Sequence, residues 1–460
     1  MQKRKRLIAV LLAAVALLLY YVATSSTGEK VKRAVEIKAA SVVGNIAIRN
    51  MSDDVAGGFH NIPIEVVQLA DNVYQARGIA NTHLITTAEG SVLFDSGISI
   101  QAAQQLELLK AQQQGPLTHI ILSHSHADHI GGVRFWRDEE TEIVAHREFV
   151  EEQRYLTELE PYLWARNRIV FPWMPEQPTR QPMLRYGGVE PTVTVDHRDY
   201  RFHQGGVEFA VLSTPGAEGA DNLSLWLPQQ KILFSGDFFG PLWPQFPNIF
   251  TMRGEKIRKP IEYIRSLDKL IALAPEMIVP SHHQPITGKE NILAGMIKMR
   301  DAVQSVHDQV VVGMNAGKSV YQLMDEVRLP AHLQLTEEHG KVSWAVRSIW
   351  EYYATWFHFD SPTALYSLPV SVLYADLSAL AGVEALLAEA QQALQDNNPL
   401  PALHYLEIVL AADLDNSEAL RLQLGALQQL LTAAIAGGNN YEKDYLRAQI
   451  QQVTARLPSD

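Results

Sequence analysis

Cysteine is absent from all 460 residues. That removes disulfides, thiolate metal sites and cysteine nucleophiles together, so any metal must be held by histidine and carboxylate side chains. A chain exported through an oxidising compartment tolerates the absence well, although the absence alone assigns no compartment. Cationic clusters are missing too. Lys and Arg total 39 against 51 Asp and Glu, for a net charge of -12, and no basic run occurs beyond the N-terminus. Phosphate recognition needs clustered Lys and Arg, which argues against a general nucleic-acid binder. Bulk disorder finds no support either, because a chain 47% hydrophobic and 20% charged is globular and long enough for two or three domains. Long apolar runs are scarce. One of them, Leu7 to Ala23, follows Lys3-Arg4-Lys5-Arg6 and lies near the lower limit of the roughly 17 to 25 residues that span a bilayer. Its flanking charge predicts an N-terminus inside and a body outside. The expectation is therefore an uncleaved anchor over residues 1–27, with the rest on the periplasmic side of the inner membrane. A cleaved signal peptide that releases the chain to the periplasm is the alternative.

What the sequence does contain is His124-Ser125-His126-Ala127-Asp128-His129, directly after the apolar run Ile120-Ile121-Leu122 and before Ile130-Gly131-Gly132. Imidazole nitrogen and carboxylate oxygen are donors that zinc and similar divalent ions accept, and a loop at a strand end lets four such side chains converge. A solvated His-rich turn would not need an Asp before the last His or a Gly-Gly exit. The pattern resembles the signature of the metallo-β-lactamase superfamily, which implies an αββα sandwich holding two metal ions at one edge, and three further ligands later in the chain.

Those ligands are sought at strand ends. Short strand patterns begin at Val66 and run through Asn72 to Ala76, Thr82 to Thr87 and Gly90 to Phe94, with Asp95 expected beside the metal loop. His83 reads as a strand histidine rather than a ligand. Gln101 to Gln114 predicts a helix closed by Gly115-Pro116. Residues from Glu148 to about Gly188 lack a core-like period and are either a pocket wall or a surface excursion. Phe209-Ala-Val-Leu leads into Pro215-Gly216-Ala217-Glu218, where the resemblance implies a metal ligand and Glu218 stands in place of the usual His. Ile232-Leu-Phe-Ser-Gly-Asp237 ends in a carboxylate that the resemblance makes the bridge between two metals. Met277-Ile-Val-Pro280, read as the last sheet strand, delivers Ser281-His282-His283, with His282 preferred as ligand and His283 as runner-up. Arg253 either grips an anionic substrate or forms a salt bridge. Pro260 opens a helix with Ile261, Ile264, Leu267, Leu270 and Ile271 on one face. Beyond Lys289 helical patterns take over, including Ala375 to Gln395, Leu400 to Ala412 and Ser417 to Ala436. Such helices should pack on the first domain or on a second copy of the chain.

Taken together, the residues resemble the bacterial alkyl sulfatases, the SDS-hydrolysing branch of that superfamily. The carriers are His124 to His129, Glu218, the run Asn248 to Gly254, and Ser281 to Pro285, with His307 to Gly317 and Trp356 to Pro362 adding support. The resemblance implies an α/β sandwich followed by an all-α dimerisation domain. The segments expected are an anchor or signal at 1–27, a linker at 28–60, a catalytic domain at 61–290 and a helical domain at 291–460. It implies two divalent ions, expected to be zinc. His124, His126 and Glu218 would hold one, Asp128, His129 and His282 the other, with Asp237 between. Asp128 and Asp237 are the catalytic carboxylates, a metal-bridging hydroxide is the nucleophile, Arg253 holds the sulfate group, and the chain is a homodimer. A lactone, thioester or phosphodiester hydrolase of the same fold is the rival reading. Two departures stand out: the family's bridging carboxylate is commonly Glu, and its C-terminal sterol-carrier-like domain is not found before Asp460, so long-chain esters are the less expected substrates.

Overall fold

The computed structural model describes residues 26–49, 63–171, 174, 176–177, 188–239, 243–249, 252–253 and 255–458. The apolar run at 7–23 lies outside them. Among the described residues no single helix is long and apolar enough to cross a membrane.

Two sheets form the centre. The first has seven strands in sequence order: β1 (Val66–Ala70), β2 (Val73–Ala76), β3 (Thr82–Thr87), β4 (Gly90–Phe94), β5 (Leu117–Ile121), β6 (Glu142–His146) and β7 (Val193–Val195). It begins as an antiparallel meander and turns parallel from β4 onward. The second has the order β13-β12-β11-β10-β9-β8, from β8 (Tyr200–Gln204), β9 (Val207–Ser213), β10 (Leu223–Leu227), β11 (Ile232–Gly236), β12 (Met277–Pro280) and β13 (Ile286–Thr287). The strand expected to close this sheet, β12, is thus followed by a two-residue edge strand paired antiparallel to it.

The sheets meet through β-branched and aromatic side chains. Val73, Ile85, Val92, Phe94, Ile121 and Val144 from one face pack on Phe209, Val211, Leu223, Leu225, Phe234 and Val279 from the other. On the outer side of the first sheet, Leu84, Leu93, Ile120 and Ile143 pack against Ala102, Ala103, Leu106 and Leu109 of the helix Ser99–Lys110. On the outer side of the second, Ala210, Leu212, Leu233 and Ile278 meet Ile264, Leu267 and Leu270 of the helix Pro260–Ala272. This is the helix–sheet–sheet–helix layering expected from the sequence, and each layer buries one apolar face. The outer core then continues without a break into Met296, Val303 and Val306 of the helix Lys289–Asn315 and into Val346 and Ile349 of the helix Val342–Ala354. The first helices after residue 290 therefore share the sandwich's core.

The helical region that follows has a core of its own, built from Leu387, Ala390, Leu406, Val409, Leu420, Leu427 and Val453. The run expected as one helix from Ala375 to Gln395 is two, Tyr374–Ala381 and Val383–Gln395. Gly382 between them takes φ 85, a conformation that ends a helix at little steric cost only for glycine.

Two further stretches hold helices that the sequence did not predict. The residues read as a linker include a 24-residue helix, Ser26–Arg49. Its weak amphipathic period hides it in sequence, because it buries only a narrow stripe with Ile37 and Ala40 against the helix Ser99–Lys110. Arg33 adds bonds to Asp138 at 2.5 Å and to the carbonyls of Phe135 and Arg137. Likewise the insertion after Glu148 contains two helices, Phe149–Glu158 and Glu160–Val170. At Gly44 a Cβ would come within 1.7 Å of the Ile100 carbonyl oxygen. Gly44→Ala should therefore push the N-terminal helix off its seat and cost about 1–3 kcal/mol. A urea unfolding midpoint equal to that of the unsubstituted protein would show that the helix does not depend on this contact.

Candidate metal centre

The strand ends bring the expected ligands to one edge of the sandwich. Parallel pairing of β4 with β5 sets Asp95, just past β4, beside Ser123 and His124, just past β5. Parallel pairing of β11 with β12 sets Asp237 beside His282. The sheets are pinched together here. Gly236 takes φ 58, and a Cβ on it would stand 2.6 Å from the Ser123 Cβ, so only glycine fits. Leu223 N–H donates to the Ser123 carbonyl across the pinch, and Ser281 N–H donates to the Gly236 carbonyl.

Three overlapping groups of donor atoms result: His124, His126 and Glu218; His124, His129 and Asp237; and Asp128, His129 and His282. All seven residues singled out as ligands are in them. Asp237 belongs to the group that joins the other two, the place a bridging carboxylate occupies. His282 rather than His283 turns into the cluster; His283 sits at φ 62 immediately after it.

The imidazoles are oriented from behind. His129 Nδ1 donates to Asp95 Oδ2 at 2.9 Å, and His282 Nδ1 donates to the Ile79 carbonyl at 2.6 Å. Both partners can only accept, so each neutral ring keeps its Nε2 lone pair facing the cluster. His124 Nδ1 meets Ser123 Oγ at 2.9 Å, and that hydroxyl already donates to Asp95, which leaves it to accept from the ring. Asp95 is fully buried, sits at φ 54, and also takes the Ser123 N–H and the Ser281 hydroxyl. One carboxylate thus holds both strand ends, in the role expected for it beside the loop.

Electrostatics follow from burial. Desolvation, with His129 and His126 nearby, holds His124 well below the usual histidine range. Burial also opposes charge on His129 and His282, but Asp237 and Asp128 outweigh it; His129 is held well above its usual value and His282 at about 10. The cluster therefore draws in positive charge, as protons on imidazole or as cations. His129 Nε2 and Asp237 Oδ1 are buried with no hydrogen-bond partner among the described residues. Desolvated donors of this type, aimed at one another across 3.2–3.6 Å, fit divalent metal ions.

The comparisons with known proteins agree. Residues 76–282 match the family described as Metallo-beta-lactamase superfamily, and residues 319–447 match the one described as Alkyl sulfatase dimerisation. Two regions of the chain are thus similar to these families, the first at the sandwich and the second in the helical tail. It is 31% identical over 323 residues to the linear primary-alkylsulfatase of Pseudomonas sp. (strain ATCC 19151), covering 65% of this chain and 60% of that protein. Alkyl/aryl-sulfatase BDS1 of Saccharomyces cerevisiae is 25% identical over 393 residues, covering 79% of this chain and 60% of the other. The chain thus spans about 60% of the length of these relatives. The stereoselective inverting sec-alkylsulfatase Pisa1 from Pseudomonas sp. shares the fold with a TM-score of 0.73 at 22% identity, over 87% of this chain and 67% of that one.

Around these donors lie residues that sequence reasoning missed. Arg258 is buried and forks onto Glu218, with Nη1 to Oε1 at 3.0 Å and Nη2 to Oε2 at 2.7 Å. Glu255 accepts from Arg258 at 3.0 Å and from Arg253 Nη2 at 3.3 Å, and faces His126 Nε2 at 3.4 Å. Arg253 itself reaches Glu218 at 3.1 Å, so the salt-bridge alternative for this residue is realised. Asp221 accepts the Ser125 N–H at 2.9 Å, and burial pushes its carboxyl up to about 6. A charged residue in a loop gives no sign in sequence of folding back on a distant loop, which is why these escaped.

The insertion helices form a wall of the site: Lys256 meets Glu151 and Glu152, and Arg166 donates to the Met252 carbonyl. The tail reaches it as well. Tyr441, buried at the start of the helix Asn440–Arg456, packs its ring on His339 at 5.0 Å and on Phe171 at 6.2 Å.

His83, read as a strand histidine, lies in the core against Phe94 and Phe234 and bonds Gln75 at 3.1 Å. Burial lowers its pKa from 6.5 to about 4. The folded state therefore binds this proton less readily than the unfolded chain does. The contribution is present above pH 6.5 and is lost as pH falls toward 4. In urea titrations across that window, unsubstituted protein should lose up to roughly 3 kcal/mol more than His83→Gln; parallel losses would mean that His83 is already protonated in the fold.

Proposed function

We propose that the chain is a metal-dependent hydrolase of sulfate esters working with two divalent ions, expected to be zinc. The observation that carries this is the convergence of seven imidazole and carboxylate donors in three overlapping groups at one sandwich edge, in a chain whose relatives are named as alkylsulfatases. In this reading His124, His126 and Glu218 hold one ion, Asp128, His129 and His282 the other, and Asp237 bridges. Such a pair supplies hydroxide near neutral pH and stabilises the oxyanion being displaced.

The protein's own part is to fix geometry and charge. Asp95, Ser123 and the Ile79 carbonyl aim three imidazoles, and the pinch at Gly236 keeps the two halves of the donor set in register. Arg253 is the candidate sulfate anchor, with about one fifth of its side chain exposed at the mouth while Glu218 and Glu255 hold the guanidinium in place. Because those carboxylates offset its charge, hydrolysis of a lactone, thioester or phosphodiester is the rival reading.

Homodimerisation belongs to the same proposal. Trp356 (75% exposed), Phe359 (85%), Tyr366 (74%) and Leu380 (83%) lie in the stretch matched to alkyl sulfatase dimerisation, and large apolar side chains left in water there are what a partner surface would cover. Attachment to the periplasmic face of the inner membrane through residues 7–23 completes it.

The deciding experiment measures inorganic sulfate released from a panel of short and long alkyl and aryl sulfates, with zinc restored and with Asp237→Asn as control. Zinc-dependent release that the control lacks is expected; turnover of lactones or phosphodiesters with no sulfate release would replace the sulfatase reading by its rival. Hydrolysis in labelled water then locates the cleaved bond, since label confined to the alcohol excludes attack at sulfur. Arg253→Ala should raise KM for sulfate esters at least about tenfold with a smaller change in kcat. Unchanged KM in steady-state assays would leave Arg253 a salt-bridge residue only.

A further inference from the structure

Resting on the two-metal reading, we infer that Glu255 is a positioning residue for the first metal: it fixes the tautomer of His126 and keeps Glu218 available as a ligand. His126 is the odd imidazole of the four. His124, His129 and His282 turn Nε2 inward and anchor Nδ1 on Ser123, Asp95 and the Ile79 carbonyl. His126 is reversed, with Nδ1 facing His124 Nε2 at 2.8 Å and Glu218 Oε2 at 3.7 Å. Ligation through Nδ1 requires the ring proton to sit on Nε2. The carboxylate of Glu255 lies 3.4 Å from that nitrogen and can only accept, so it selects the tautomer, as the partners behind metal-bound histidines do elsewhere.

The second half of the argument concerns charge. Two guanidiniums, the partly exposed one of Arg253 and the buried one of Arg258, lean on Glu218 with bonds of 2.7 to 3.1 Å. A carboxylate so engaged has fewer lone pairs and less negative potential to offer a cation. Glu255 pairs with Arg253 Nε at 3.0 Å and Arg258 Nη2 at 3.0 Å, sharing the load. Replacing it by a neutral group would both free the His126 tautomer and draw Glu218 toward the arginines, and both effects weaken the same metal site.

The test is zinc binding by the purified full chain, in competition with a chromophoric chelator, for the unsubstituted protein, Glu255→Gln and Glu255→Asp. Expected are two zinc equivalents in the unsubstituted protein. Glu255→Gln should lose about 10–100-fold in affinity at one site with the other unchanged, and Glu255→Asp, which keeps the charge, should recover most of the loss. In a His126→Ala background, Glu255→Gln should cost clearly less than it does in the unsubstituted protein, since the part of its effect that runs through that ring is already lost. Unchanged affinities in Glu255→Gln overturn the inference while leaving the two-metal reading intact. Equal weakening of both sites in both variants overturns it in favour of a general packing role. Fewer than two equivalents in the unsubstituted protein removes the two-metal reading itself, and the inference falls with it.

Discussion

Everything at this site depends on the need to bury several carboxylates and imidazoles together where two sheets meet. Charged groups taken out of water are tolerated only when opposite charge and hydrogen bonds compensate them. Asp95 shows how far the fold goes to meet that condition. It accepts from a backbone N–H, two hydroxyls and an imidazole, and the N–H and hydroxyls come from just past the ends of β5 and β12, which belong to different sheets. Its backbone is held at φ 54, a conformation that costs energy for a residue with a side chain and persists because the surroundings over-determine it.

The parts of this arrangement legible in sequence are those that sit in a local pattern. His124 to His129 can be read because four donors fall within one strand-end loop, and Asp237 and His282 because each closes an apolar strand run. Glu218 needed the family resemblance, since a Glu in a Gly-rich loop has no signal of its own. Glu255 and Arg258 act on residues 30 or more positions away, and nothing in a stretch of Arg, Glu, Lys and Arg says which distant loop it will meet. The helix Ser26–Arg49 was hidden for a different reason. It presents only a thin buried stripe and leaves Val31, Val35 and Val42 exposed, so the alternation of apolar and polar residues that marks a docked helix is weak.

The helical half of the chain is more than an appendage. Helices from 289 to 354 complete the core on one side of the sandwich, and the loop at 337–341 carries His339 to the site while receiving the last helix through Asn439, Asn440 and Glu442. Tyr441 follows from that docking. A wall of the site is thus supplied by a residue some two hundred positions after Asp237. The shape of the site therefore depends on how the tail seats as well as on the donor cluster.

Charge balance connects the two halves of the argument. Asp95, Asp128, Glu218, Asp237 and Glu255 face one another across a few ångströms, offset within the protein by Arg253 and Arg258. Seven fixed charges of this kind leave the cluster negative by three, an unfavourable state for groups largely withdrawn from water. Protonated His129 and His282 are one answer, and the direction of their shifts shows that the cluster asks for it. Two divalent ions are the other. They would turn the deficit into a single positive charge, and in doing so return both imidazoles to the neutral form that ligates. In the proposed two-metal reading that spare charge would be balanced by the hydroxide such ions supply, which leaves the site neutral before any ester binds.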